Sequence, residues 1–377
     1  MTADLTITGY EHRALRVPER PVGDSQTHVF ETDAFDYLYL ELETDADAVG
    51  IGVDLIELRA PGRPSPETLE SRVEAVVGDA VGESAFSLLT RQTRHRGGVH
   101  NYHESGSYGP GVGVTLDMAL WDACAKHVGQ PLHEFMGGTD DSVPVYASGL
   151  SFVNDDERTR EVYERFADLG AFDAAKVKVG HETVEADIER LELVAEVMDG
   201  PDRLMVDPNE AWSPTETLRR LSAFEAAGVE VFWVEDPVFR HDRDGLRRVV
   251  ENTPGTHVTV GEYQGFEAKR SLLEAGACDV LNLQGLTAAR RAGTLAQARG
   301  TPVAISTDHA TDAMAVHAGL ALPDVVAVEC CYHRLFDLAA EPPYTVEDGE
   351  VRATDRPGHG VAFEDDTLAE YTRRPKR

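Results

Sequence analysis

Lysine is nearly absent from this chain. Only Lys126, Lys176, Lys178, Lys269 and Lys376 occur among 377 residues, so 30 of the 35 basic residues are arginine. Positive charge of either kind is scarce against 67 acidic residues, for a formal net charge of −32. A chain this acidic repels nucleic acid and anionic membranes, so neither is expected as a partner. No apolar run approaches the ~20 residues that span a bilayer. The N-terminus "MTADLTITGYEHR" lacks the basic start and apolar stretch of a signal peptide. Cysteine is rare too: Cys124, Cys278, Cys330 and Cys331 have neither metal-ligand spacing nor the look of a disulfide framework. A reducing interior follows, and with it a soluble, cytoplasmic protein. The acids are scattered rather than gathered in a tail, and 42% of residues are hydrophobic, which argues against disorder. A dispersed acidic, lysine-poor surface is what work in concentrated salt favours, where screening is strong. An ordinary acidic enzyme is the alternative.

From residue 143 onward a short β-branched run, an amphipathic segment and a Gly- or Pro-marked turn recur. The runs are "VPVYASG" (143–149), "AAKVKVG" (174–180), "RLMVDPN" (203–209), "VFWVEDP" (231–237), "HVTVGEY" (257–263), "CDVLNLQ" (278–284), "TPVAIST" (301–307) and "DVVAVE" (324–329). Eight strands alternating with helices predict a closed βα barrel. An open doubly wound sheet is disfavoured because no Gly-rich phosphate loop follows the first strand. The first 125 residues read differently, with β-hairpin material in "DYLYLELETDADAVGIGVD" and helical patterning over 67–90 and 114–136. The fold class expected is α/β, with an N-terminal α+β capping domain (1–125), a C-terminal (β/α) barrel carrying the active site (126–340), and a final segment (341–377) that packs back on the cap.

Three predicted strands end in acids: Asp207, Glu235 and Glu262, separated by 28 and 27 residues, one βα unit each. They should project from adjacent strands at the C-terminal rim, where barrel active sites sit. Converging carboxylates repel unless a cation neutralises them. An all-oxygen set fits one hard divalent ion such as Mg²⁺. A single strand-end acid is commonly only a helix cap; three in succession favour metal. On the preceding strand, Lys176 and Lys178 share a face, because side chains alternate with period two. A salt bridge is the bland reading of one lysine. Two beside a metal depress each other's pKa, which makes a lysine usable as a base.

Together "KVKVG", "VDPNEAW", "VEDP" and "VGEY" resemble the enolase superfamily, in its mandelate racemase and muconate lactonizing branches. "GVTLDMALWDACAKHVGQPLHEFMGG" (113–138) resembles the helical part of that family's capping domain. The resemblance implies a modified TIM barrel and metal-assisted removal of a proton α to a carboxylate. It implies Asp207, Glu235 and Glu262 as metal ligands, Lys178 as the base tuned by Lys176, and Asn209 and Asp236 in the surrounding shell. In the racemase branch a histidine ends strand seven and a glutamate ends strand eight, which assigns His309 as second acid/base and Glu329 beside the substrate carboxylate. His317 falls in an amphipathic helix and reads as structural. Strand six departs from both branches: it ends in Gln284, not in the aspartate or lysine those branches carry, and Asp279 begins that strand. A neutral Gln284 can orient His309 but not raise its pKa as a carboxylate does. Asp308 and Asp312 are local candidates for that role.

The leading expectation is an acid-sugar dehydratase: Lys178 takes the α-proton and His309 protonates the departing β-hydroxyl. Arg20, Asp24, Ser25 and the run "HNYHESGSYG" (100–109) are candidates to read the sugar hydroxyls; an ordinary polar surface is their alternative. A racemase or epimerase comes second and a cycloisomerase third, since strand six lacks its lysine. A non-catalytic barrel is disfavoured by the carboxylates and the lysine pair. The partner expected is a small carboxylate, a sugar acid, with a homo-oligomer between dimer and octamer.

Overall fold

The computed structural model describes residues 4–24, 30–56, 66–92, 112–149, 155–169, 172–180, 182–262, 264–307, 312–331 and 338–373. The chain opens with a three-stranded antiparallel sheet, β1 (Ile7–Asp24), β2 (Phe30–Thr44) and β3 (Gly50–Leu55). Helices α1 (Pro66–Val76), α2 (Ala85–Gln92), α3 (Val112–Val128) and α4 (Leu132–Phe135) follow. Residues 112–125 of α3 are buried throughout, as expected of a helix sandwiched between two layers. Gly50 and Gly52 make its approach to β3 possible. A Cβ on Gly50 would meet Ala119 O at 2.1 Å, and one on Gly52 would meet Thr115 O at 2.0 Å. Thr115 and Ala119 are one helical turn apart and the two glycines share a strand face, so the periods of helix and strand match at the contact.

The barrel alternates β4 (Val143–Ser148), α5 (Asp156–Leu169), β5 (Ala174–Lys178), α6 (Val184–Val197), β6 (Arg203–Asp207), α7 (Pro214–Ala226), β7 (Val231–Glu235) and α8 (Arg243–Asn252). It continues through β8 (His257–Val260), α9 (Phe266–Ala275), β9 (Val280–Leu283), α10 (Thr287–Gln297), β10 (Val303–Ile305), α11 (Asp312–Ala321) and β11 (Val325–Cys331). Neighbours pair in parallel in sequence order, and β11 pairs with β4 from Val328↔Val145 to Cys331↔Ser148, closing the eight-stranded cylinder. The turns carry their own start signals: the side chains of Thr183, Ser213 and Asp242 accept from the main-chain N–H three residues on, at 3.2, 3.2 and 3.0 Å, capping α6, α7 and α8.

A hairpin of β12 (Tyr344–Glu347) and β13 (Glu350–Ala353) joins the N-terminal end of β4 in antiparallel fashion. Helix α12 (Asp365–Tyr371) ends against the cap, where Arg373 N donates to Ala14 O at 2.8 Å. Among the described residues no helix is long and apolar enough to cross a membrane. All four cysteines are free thiols.

Candidate active site

Inside the barrel, period-two alternation stacks two kinds of layer. The floor is apolar: Tyr146, Ala174, Met205, Trp233, Val280, Ala304 and Ala327, one or more from nearly every strand. Two residues further along the same strands, the inward side chains turn polar: Ser148, Lys176, Asp207, Glu235, Asn282, Ser306 and Glu329, all buried. One more step up β5 brings Lys178, and just past β9 comes Gln284, both also buried. Apolar packing therefore closes off the polar layer from below.

Lys176 stands among three carboxylates. Its Nζ lies 2.7 Å from Glu329 Oε1, 3.0 Å from Glu235 Oε2 and 3.7 Å from Asp207 Oδ2. It also sits 5.6 Å above the Tyr146 ring, a cation–π distance. Lys178 Nζ is 2.6 Å from Asp207 Oδ2, and Asp207 Oδ1 accepts the Asn209 main-chain N–H at 2.8 Å. Glu235 Oε1 accepts from Asn282 Nδ2 at 3.1 Å, and Glu329 Oε2 from Thr307 N at 3.1 Å. Gln284 lies at the upper edge of this set. Asp279 sits at the opposite end of β9, where its carboxylate accepts Val258 N at 2.8 Å.

Asp207 and Glu235 close their strands, but Glu262 stands two residues past β8. The cause is Gly261, whose φ is +137 and whose Cβ, if it had one, would meet Asn282 O at 2.5 Å. That kink, available to glycine alone, turns Glu262 inward. Lys269 Nζ bonds the carbonyls of Gly261 and, at 2.9 Å, Asn282, fastening the kink.

Two ammonium groups face four buried carboxylates here: Lys176 and Lys178 against Asp207, Glu235, Glu262 and Glu329. Arg240 and Lys269 at the edge of this set are matched in formal charge by Asp236 and Glu210, so two negative charges are left over, and the titration behaviour follows. Burial pushes Glu235 well above the usual carboxylate range despite Lys176, and pushes Glu262 up to about 7 despite Lys178 and Lys176. Asp207 is held below its ordinary value, because Lys178 and Lys176 outweigh its burial. The mutual depression expected of the lysine pair is reversed at Lys176: burial would lower it, but Glu235 and Glu329 hold it well above the usual lysine value. A surplus of two buried negative charges on oxygen donors is what one hard divalent cation would balance, so the residues present fit such an ion. Among the described residues no three such side chains are gathered at metal-ligand spacing; the ammonium groups hold Asp207 and Glu235 instead.

Beyond the carboxylates the rim is tied by residues the sequence reading passed over, Glu210, Arg240, Asn282 and Lys269. The signal for the first two lay in their place: Glu210 follows Asp207 by three residues and Arg240 follows Glu235 by five, both in strand-end turns. Asp236 is fully buried, pushed up to about 6 by burial against the pull of Arg240. His309, Asp308, Ser25 and the run 100–109 lie outside the described residues, as do the side chains of Arg20, Asp24 and Asp312. His317 is buried in α11, its Nδ1 3.1 Å from His133 Nδ1 and remote from the carboxylates in the fold.

A family model described as enolase C-terminal domain-like matches residues 157–367. Among curated relatives, a 3,6-anhydro-alpha-L-galactonate cycloisomerase from Streptomyces coelicolor is 31% identical over 274 residues, 71% of this chain and 74% of that protein. Epimerases and a dehydratase are also among the relatives. A solved structure of mandelate racemase type from Mesorhizobium loti superposes with a TM-score of 0.86 at 34% identity, covering 98% of this chain and 95% of that one. A racemase from Streptomyces coelicolor, solved with bound magnesium, gives 0.81 at 25% identity over 97% of this chain and 100% of that one.

Proposed function

This chain belongs to the enolase superfamily, whose members among its relatives are enzymes, and on that premise we propose that it is a magnesium-dependent acid-sugar dehydratase. The observation that carries this reading is the charge balance at the rim, where four buried carboxylates on β6, β7 and β11 and beyond β8 outnumber two ammonium groups on β5. Asp207, Glu235 and Glu262 would hold the cation; Glu329 remains with Lys176. A bound Mg²⁺ supplies Lewis-acid charge that lowers the cost of negative charge developing on the substrate carboxylate.

The chain's own residues do the rest. Lys178, at the top of the β5 face, removes the proton α to the carboxylate. Lys176, held by Glu235 and Glu329, keeps its charge and orients its neighbour. As the C–H pair becomes a Cα–Cβ double bond, the Cβ–O bond breaks and the oxygen leaves with a proton, for which His309 is the assigned donor. The resulting enol tautomerises to a 2-keto-3-deoxy acid. The apolar floor and closed barrel wall keep water from the chamber from below. At the end of β9 stands the neutral Gln284, where the resemblance would give a cycloisomerase a lysine, and this supports elimination over ring isomerisation. Racemisation would use the same Lys178 and His309. Isomerase chemistry shares the first step and is the second reading, supported by the cycloisomerase and epimerase relatives.

The test presents acid sugars to the protein in molar salt with Mg²⁺ and reads 2-keto product with a carbonyl reagent. Keto acid should form from at least one sugar acid, stop with EDTA and resume with Mg²⁺. Turnover in a verified metal-free sample would remove the cation from the reading; epimerised or ring-isomerised product without keto acid would select the isomerase. We extend the proposal to working conditions. With a net charge of −32, self-repulsion is poorly screened where the Debye length is ~30 Å, at 0.01 M, and well screened at ~3 Å, at 1 M. The melting temperature followed by circular dichroism should rise between those conditions, and a flat response would contradict adaptation to concentrated salt.

A further inference from the structure

Arg240, five residues beyond Glu235, reaches three consecutive strand ends at once. Its main-chain N and its Nε both donate to Glu210 Oε1 at 2.7 Å, which ties it to the segment leaving β6. One terminal nitrogen lies 3.4 Å from Asp236 Oδ2, beside the end of β7. The other donates to the main-chain carbonyl of Glu262 at 2.8 Å, just past β8. Its own carbonyl accepts from Gln264 Nε2 at 2.8 Å, so the clasp is itself held from the β8 side.

The backbone it fastens is not relaxed. Asn209, Glu210 and Asp236 have φ of +50, +70 and +36, in the left-handed region that non-glycine residues seldom occupy. Such conformations persist only where surrounding bonds over-determine them. Glu210 N donates to Asp236 O at 2.7 Å, and Asp236 N to Thr259 O at 2.9 Å, linking the same three strands through main chain as well. The Arg240 side chain is 11% exposed, so water competes little for these bonds. A planar fork with fixed donor directions can hold three backbones in register; a single ammonium point charge cannot.

We infer that Arg240 is a positioning residue that sets the mutual spacing of Asp207, Glu235 and Glu262, and through it the affinity of those carboxylates for a hard divalent cation. This rests on the proposed reading of the three as ligands. Arg240 acts through the turns that carry these carboxylates. Residues that orient ligands from outside commonly change metal affinity by ~10–100-fold when removed.

The probe is Mn²⁺, whose free fraction is read by electron paramagnetic resonance in the purified full-length protein at molar salt, with circular dichroism as the check on folding. Arg240→Met should stay folded and bind Mn²⁺ ~10–100-fold more weakly. Arg240→Lys, which keeps the charge and loses the fork, should fall between it and wild type. A folded Arg240→Met with wild-type affinity but a lower melting temperature would make Arg240 a stabilising ion pair only, and overturn the inference. If Arg240→Met does not fold, Glu210→Gln opens the same clasp with Arg240 in place; weakened binding supports the inference and wild-type binding overturns it. Glu262→Gln separates a failure of the carboxylate site from a failure of the clasp. If wild type binds no Mn²⁺, or Glu262→Gln binds it as well as wild type does, the carboxylate reading is at fault and the inference falls with it.

Discussion

Polar side chains are buried in two regions of this protein, and the two treat them differently. At the seam between cap and barrel Asp122, Asp117 and His359 are answered. Asp122 accepts from Ile51 N at 2.8 Å and His359 N at 2.9 Å, and pairs with Lys126 at 2.6 Å. Asp117 accepts both the main-chain N and the hydroxyl of Thr287, at 3.1 and 2.6 Å, at the start of α10. The His359 ring spans Ile51 O at 2.7 Å and Val361 N at 3.1 Å. In the barrel chamber the accounts stay open: four carboxylates share two ammonium groups, and Ser148 Oγ, Thr259 Oγ1 and Asn282 Oδ1 find no partner among the described residues. A completed buried network fixes a structure, whereas an incomplete one costs stability. Unfinished bonding, rather than burial alone, is what sets the proposed site apart from the seam.

The largest effect expected from breaking that contrast is at Lys178. Lys178→Ala should lower elimination by ~10²–10⁴, the usual worth of a positioned proton-transfer group. The substrate's α-hydrogen should then neither exchange with deuterium oxide nor be lost, as read by proton NMR. Retained exchange would reduce Lys178 to a counter-ion of Asp207, and the chamber would resemble the seam.

The seam should respond in stability instead. Asp122→Ala leaves the main-chain N–H groups of Ile51 and His359 without their acceptor, and should cost about 2–6 kcal/mol in chemical denaturation at molar salt, roughly 1–3 for each stranded donor. Turnover of the identified substrate should hardly change. A variant as stable as wild type would show that the seam's completed bonds are not what joins cap to barrel.

A smaller effect sharpens the comparison through pH. Burial pushes His317 from 6.5 down to about 3, with His133 and His359 adding to it. Between those values the unfolded chain binds the extra proton, so the stability due to His317 is whole above 6.5 and drains away as pH falls toward 3. From pH 7 to pH 5 the loss should be about 2 kcal/mol. His317→Asn should flatten that slope in thermal melts; an unchanged slope would move the acid sensitivity elsewhere.

Much of the fold was legible because its signals are local. The eight strands begin every 22 to 31 residues with helices between them, and the strand pairs lie where β-branched runs stand. The adjacency of Lys176 and Lys178 on one face, and of Asp207 and Glu235 on neighbouring strands, needed only period two and one acid per unit. The position of Glu262 beyond β8 was less visible, since it depends on how close Asn282 O comes to Gly261. The proline in "DPNE" marked a turn, but nothing local pointed to the clasp between Glu210 and Arg240.

The sequence by itself determined the architecture and the kind of chemistry at the rim, because alternation and repeat length act between residues a few positions apart. Only the tertiary structure decided how those charges meet. Glu329 lies 153 residues from Lys176 along the chain, and barrel closure between β11 and β4 alone brings them to 2.7 Å. Glu235 from β7, with Glu329 from across the closure, reversed the expected depression of the Lys176 pKa, and the packing of three neighbouring strand ends set Arg240 across them. Electrostatics in a buried chamber depends on distances that no spacing in the chain records.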